Sequence, residues 1–161
     1  MNMRVIATGG TFDKTYDPLN GTLIFSESCV PELLTQARLA NDICFEALFA
    51  LDSLDMQDSH RQKILDACRV SIEQQIVIIH GTDTMDATAE VLGNARLSQT
   101  IVLTGAMVPH RVLHSDAQFN LGFAIAAASM LPSGVYVAMN GQVFHWNEVK
   151  KNRAIGKFER K

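Results

Sequence analysis

The run Gln75-Ile76-Val77-Ile78-Ile79 constrains the fold more than any other part of the chain. Four consecutive large apolar residues leave neither side of an extended segment fit to face water. Being short and β-branched, the run reads as a parallel strand covered by helices on both faces. It stops abruptly at His80-Gly81-Thr82-Asp83-Thr84, and a helical pattern follows from Met85 to Arg96. The same order recurs along the chain. Val5-Ile6-Ala7 ends at Thr8-Gly9-Gly10-Thr11, a strand within Ile43 to Leu51 ends at Asp52-Ser53-Leu54-Asp55, and Thr100 to Leu103 ends at Thr104-Gly105-Ala106-Met107. Helical spacing falls at Pro31 to Leu39, with Ser28 as its cap, at Ser59 to Val70, and in the Ala-rich stretch Phe119 to Met130. Asp13 to Phe25 reads as a loop punctuated by Pro18, Asn20 and Gly21, and Gly134 to Met139 as the last buried strand. Alternating strands and helices predict an α/β fold: an open, mostly parallel sheet with helices on both faces, three-layered and Rossmann- or flavodoxin-like. At 161 residues the whole of 1–161 is expected to be a single domain.

Composition narrows the function by exclusion. The formal net charge is −3 and no basic surface runs along the chain, so nucleic acid is not an expected partner. Basic residues gather only at Lys150, Lys151, Arg153, Lys157, Arg160 and Lys161, which, Lys151 apart, read as a solvated terminus. Cys29, Cys44 and Cys68 follow no metal or disulfide spacing and are expected to be free, buried thiols in a reducing compartment. No signal peptide fits before the first strand and no apolar run reaches the ~18 residues of a membrane span, so a cytoplasmic protein with no membrane partner is expected.

Four strand ends thus carry small turns rich in hydroxyls and carboxylates. In open α/β sheets ligands bind beyond the carboxyl ends of the strands, so these turns are predicted to converge on one edge. Taken singly, each has a plainer reading: Thr82-Asp83-Thr84 and Asp52-Ser53 can simply cap the next helix, and Gly9-Gly10 can be a tight turn. Repetition at successive strand ends is what that reading explains poorly. Gly9-Gly10 lacks the third glycine of a dinucleotide fingerprint, and neither a phosphate loop nor a GxSxG elbow occurs. His110 and His114 have the i, i+4 spacing of metal ligands, but Pro109 places them in a loop, and no metal or cofactor is expected. His80 closes a buried strand and reads as a hydrogen-bonded core residue.

These residues also resemble a known family. Ala7-Thr8-Gly9-Gly10-Thr11 is similar to the first threonine motif of the L-asparaginase/glutaminase family, the threonine amidohydrolases, and His80-Gly81-Thr82-Asp83-Thr84-Met85 resembles the second residue for residue. Thr104 to Pro109 looks like the following segment, with Val108 where an arginine is common. Ser115 to Leu121, and Met139-Asn140-Gly141 through Lys151, resemble what comes after. The chain resembles the family's N-terminal domain only: it ends ten residues after Lys151, and the usual C-terminal domain is expected to be absent.

The resemblance implies Thr11 as nucleophile, with Tyr16 as the tyrosine of a mobile loop, set unusually close to it. It implies a second cluster of Thr82, Asp83 and Lys151, in which the lysine polarises Thr82 or shuttles protons. Substrate contacts are expected from Gly10, Ser53, Asp55 and Ala106. Ser53 would take the α-carboxylate, Asp55 and Asp83 the α-ammonium, and a backbone N–H near Thr82 the oxyanion. Leu54 stands where a polar residue is usual. The function implied is hydrolysis of asparagine or a related amino-acid amide to the acid and ammonia by a homo-oligomer. The alternative is a weakly catalytic or non-catalytic module that binds acidic amino acids or their amides.

Overall fold

A computed structural model describes residues 2–161. In chain order they form β1 (Met3–Gly9), β2 (Lys14–Asp17), β3 (Thr22–Phe25), α1 (Val30–Gln36), β4 (Ile43–Leu51), α2 (Asp58–Val70), β5 (Gln75–Ile79), α3 (Met85–Asn94), β6 (Thr100–Thr104), α4 (Ala117–Met130), β7 (Gly134–Met139), β8 (Gln142–His145), β9 (Val149–Asn152) and β10 (Lys157–Arg160). Six strands make one sheet in the order β4-β1-β5-β6-β7-β8. Neighbours pair in parallel from β4 to β7, and β8 runs antiparallel to β7.

The period-2 alternation of a strand explains why these segments are apolar throughout. Ile76 and Ile78 join Ile6, Ile101 and Leu103 in a core with α2 and α3, where Ile64, Leu65, Cys68, Met85, Ala89 and Leu92 are buried. Val77 and Ile79 point the other way and join Val5 and Val102 in a second core, against Val30 and Leu33 of α1 and Leu121, Ala124 and Ala127 of α4. Each fully buried Val or Ile in these layers contributes roughly 1.5–3 kcal/mol. The alanines of α4 let that helix lie close over β5, β6 and β7. The expected α/β three-layer fold is what forms.

Two segments differ from the sequence reading. Asp13 to Phe25 is a short 3-10 turn, Thr11–Asp13, followed by the β2–β3 hairpin. Its turn residues act as such: Asp17 accepts from the Leu19 N–H at 3.0 Å and from the Asn20 amide at 2.6 Å, and Gly21 takes φ 65°. Four-residue strands beside a strong turn signal are too short for alternation to stand out. The basic C-terminal run is likewise a β9–β10 hairpin, anchored by the buried Phe158, with Lys150, Lys157 and Arg160 pointing to solvent. The three thiols are free as expected, but Cys44 is exposed. Among the described residues no helix is long and apolar enough to cross a membrane.

Candidate active site

Counted in chain order, the parallel strands β1, β4, β5, β6 and β7 lie in the order 2-1-3-4-5. In that arrangement the connections turn to opposite sides of the sheet between β1 and β5, which opens a crevice at their carboxyl ends. The Gly10-Thr11 and Gly81-Thr82 turns leave those two strands. Gly10 adopts φ 74° and ψ −178°, a conformation all but reserved for glycine. Its N–H donates to the Leu51 carbonyl at 2.8 Å. A Cβ at Gly10 would lie 2.5 Å from Gly81 Cα, so the two turns meet backbone to backbone and bring Thr11 and Thr82 into the same crevice. The other two turns close on the same point. A Cβ at Gly81 would lie 2.6 Å from Ser53 Cβ, and one at Gly105 would lie 2.4 Å from the His80 carbonyl oxygen. All four hydroxyl-bearing turns therefore converge, as the sequence pattern predicts.

Lys151 reaches this crevice from β9, where it pairs in register with the buried Phe158 of β10. Its Nζ donates to Thr82 Oγ1 at 2.7 Å and to Asp83 Oδ1 at 2.7 Å. The lysine side chain is 9% exposed and the Asp83 side chain 31%, so the pair is partly shielded from water. Because Thr82 Oγ1 accepts from the lysine, its own proton is left to donate toward the crevice.

Thr11 opens the 3-10 turn, half-buried, and its hydroxyl has no protein hydrogen bond among the described residues. The turn itself is held firmly. The Phe12 carbonyl accepts from the His110 N–H at 3.1 Å. The buried Asp13 carboxylate accepts from the Cys29 N–H at 3.0 Å and from the Ser28 hydroxyl at 2.7 Å. Ser28 Oγ in turn accepts from the Val30 N–H at 3.3 Å, but the residue at the α1 cap is Cys29, one position after the serine expected there. Lys14 extends over Phe25 and bonds Asp52 at 2.5 Å, tying the hairpin to the turn after β4. Its ammonium holds the Asp52 carboxyl below the usual range, against the opposing effect of burial.

The remaining expected residues divide. Ser53 is buried and central: its Oγ accepts from the Asp83 N–H at 3.2 Å and its carbonyl from Thr84 Oγ1 at 2.8 Å. Its hydroxyl is therefore committed to ordering the Thr82-Asp83 turn, with one proton left for a ligand. Asp55 and Leu54 stand exposed on the 3-10 turn that Ser53 begins. Ala106 is buried in the second core. Tyr16 is not brought to Thr11. It is 59% exposed on β2, with its hydroxyl 4.0 Å from where a Gly21 Cβ would be, over the hairpin's own turn.

His80 is a structural residue. Nδ1–H donates to the Gly81 carbonyl at 2.7 Å, and Nε2 accepts from Thr88 Oγ1 at 2.8 Å. Complete burial pushes its pKa down to about 4, only partly opposed by the Gly81 carbonyl, so the ring is neutral. On the neighbouring turn Asp116 accepts from the Met107 and Val108 N–H groups, each at 3.0 Å, and from the Asn120 and Asn140 amides at 3.0 and 3.1 Å. Burial alone would raise its pKa, but these donors outweigh it and hold the carboxyl below the usual range. His110 and His114 line a separate open depression with Arg111 and Gln118. Among the described residues no three His, Cys, Asp or Glu side chains are placed to hold a metal.

One site residue escaped the sequence reading. Arg153, grouped there with solvated charges, donates from Nη2 to the Asp83 carbonyl at 3.3 Å, with Nε 4.0 Å from Asp83 Oδ1. Arg153 is the first residue of the turn between β9 and β10, two positions after Lys151, and no local pattern marks it out.

Comparison with known proteins matches residues 2–157 to the family described as asparaginase, N-terminal. The chain is 33% identical to a glutamyl-tRNA(Gln) amidotransferase subunit of Methanococcus maripaludis, covering 96% of this chain and 39% of that protein. It is 30% identical to L-asparaginase 1 of Escherichia coli, covering 94% of this chain and 48% of that protein. Among solved structures, the thermostable L-asparaginase from Thermococcus kodakarensis superposes with a TM-score of 0.89 at 28% identity, over 99% of this chain and 51% of that one. The chain thus spans about half the length of the proteins it matches, or somewhat less.

Proposed function

The chain belongs to the asparaginase family, and we propose that it is an amidohydrolase that cleaves a side-chain carboxamide of an asparagine-like substrate with Thr11 as nucleophile. The observation that carries this reading is the Lys151–Thr82–Asp83 cluster, bonded at 2.7 Å on both sides of the lysine, in the crevice that Thr11 shares. A binding site alone has no use for a lysine hydrogen-bonded to a threonine whose own proton remains free to donate.

The chemistry proceeds in two halves. Thr11 Oγ attacks the carboxamide carbon and loses its proton, and the carbonyl oxygen takes the negative charge, which a backbone N–H near Thr82 receives, the Asp83 N–H being committed to Ser53 Oγ. The C–N bond then breaks. Thr82 gives its proton to the departing nitrogen and is reprotonated by Lys151, so ammonia leaves and Thr11 holds the acyl group as an ester. Water hydrolyses the ester: its hydroxyl goes to the acyl carbon and a proton to Thr11 Oγ. The proton shed by the new carboxylic acid restores the lysine, and the proton that Thr11 gave up in the first half leaves with the ammonia as ammonium. Asp83 keeps Lys151 aimed at Thr82 throughout. Tyr16 is the candidate to carry the Thr11 proton, which requires the β2–β3 hairpin to swing its hydroxyl from Gly21 to Thr11. Ser53 contributes its remaining proton to the substrate carboxylate, and Gly10 and Ala106 contribute backbone surface. A homo-oligomer in the cytoplasm is part of the proposal, on the strength of the family.

The experiment is ammonia release by the purified chain from a panel of amides that includes L-asparagine and L-glutamine, beside Thr11→Ala. Release that disappears in Thr11→Ala is the expected result; release that persists removes Thr11 from the role. The position of Tyr16 favours one other reading, a binding module with little turnover. Ligand binding without ammonia release from any amide would select it.

A further inference from the structure

Arg153 gives the site a charge that free asparagine does not balance. An amino-acid amide brings an α-carboxylate and an α-ammonium, and Asp83 is the acid expected to meet the ammonium. That carboxylate is already engaged twice: Lys151 Nζ sits 2.7 Å from Oδ1 and Arg153 Nε 4.0 Å from the same oxygen. The guanidinium also donates from Nη2 to the Asp83 carbonyl at 3.3 Å. Its Nη1 has no protein partner among the described residues. Nearby, Lys14 and Asp52 cancel each other. Two cations on one carboxylate leave the cluster at a formal +1, and an incoming ammonium would make three.

We propose that Arg153 selects small β-carboxamides that carry a carboxylate but no charged α-nitrogen, such as N-acylated asparagine or a succinamate-like half-amide, over free asparagine. The inference rests on the amidohydrolase reading of the site and names its substrate class. A ligand of this kind has net charge −1 and matches the cluster, whereas zwitterionic asparagine brings none. The flat guanidinium fork also suits a carboxylate better than a lysine would. The Arg153 side chain is 63% exposed, so its repulsion of an ammonium about 5 Å away is screened and amounts to a discrimination on the order of tenfold. The competing feature is Asp55, exposed on the turn after β4 and free of any ion pair among the described residues. If Asp55 reaches the ammonium, the charge balance is restored and the selectivity vanishes.

Calorimetric binding to the full chain carrying Thr11→Ala separates these cases without turnover. The ligands are L-asparagine, N-acetyl-L-asparagine and succinamate, and each is repeated with Arg153→Gln or Arg153→Lys added. The expected result is a preference on the order of tenfold for the two ligands lacking an ammonium, lost in Arg153→Gln, largely restored in Arg153→Lys, and reduced by added salt. Equal or tighter binding of asparagine, a preference that Arg153→Gln leaves intact, or no binding of any of the three overturns the inference. Ammonia release with Thr11 intact judges hydrolysis separately: its absence beside an intact binding preference refutes the hydrolysis and not the selectivity.

Discussion

Replacing Gly10 by alanine tests the contact that brings the two threonines together. Gly10 has φ 74° and ψ −178°, a region essentially confined to glycine, which costs any other residue of order 1–3 kcal/mol. The new methyl would also lie 2.5 Å from Gly81 N and Cα, backbone atoms that cannot rotate aside as a side chain would. Relieving such an overlap typically costs about 1–3 kcal/mol. The sum is about 2–6 kcal/mol, a large part of the ~5–15 kcal/mol that a domain has in total. For a chain of this length it lowers Tm by roughly 2–4 °C per kcal/mol. Gly122 provides the contrast, because it lies exposed in α4 and a methyl there meets nothing within 4 Å. Gly122→Ala is expected to stabilise by about 0.5–1 kcal/mol through helix propensity alone. Urea unfolding of both variants, checked for an unchanged m value, measures the difference. A Gly10→Ala protein within about 0.5 kcal/mol of the parent, the ordinary range of a neutral surface change, would refute the reasoning.

Three further outcomes follow from buried groups. His80 titrates near 4 when folded against 6.5 unfolded, so between those pH values the unfolded chain binds the extra proton and stability falls as pH falls, by about 3 kcal/mol in all; His80→Gln should flatten that part of a stability–pH curve, and an unchanged slope would contradict the assignment. Asp116→Ala strands two backbone N–H groups and two amides, so it should cost about 1–3 kcal/mol and speed amide hydrogen exchange at Met107 and Val108, whereas unchanged exchange would show that other contacts hold the turn. Burial pushes the Cys29 and Cys68 thiols up to about 12, while Cys44 is exposed; a thiol reagent should therefore label one cysteine in the native chain, and rapid labelling of Cys29 or Cys68 would contradict the packing.

What could be read from the sequence was whatever a short window contains. Val77 and Ile79 face one core and Ile76 and Ile78 the other, so burial on both sides shows directly as an unbroken apolar run. The turns after β1, β4, β5 and β6 were legible because a strand that ends in Gly and hydroxyl residues looks different from one that ends in a plain connection. The β2–β3 hairpin was not, since four residues give alternation no room. Neither was the commitment of the Ser53 hydroxyl to the Asp83 N–H, a contact across 30 positions that follows from the packing of Gly81 against Ser53. Arg153 looked like any solvated charge because its partner is 70 residues away. Pairing across distant segments is set by the assembled sheet, and a local pattern does not carry it.

The central claim is that Lys151 and Thr82 act as one proton relay beside Thr11. A double-mutant cycle on ammonia release tests it most directly, with Thr82→Val, Lys151→Met and the two combined. Each single change should lower the rate by about 10²–10⁴, the usual worth of a positioned proton donor. Because both remove the same relay, the double variant should lose little more than either single one. Losses that multiply would show two groups working separately, and full activity in Lys151→Met would end the relay account.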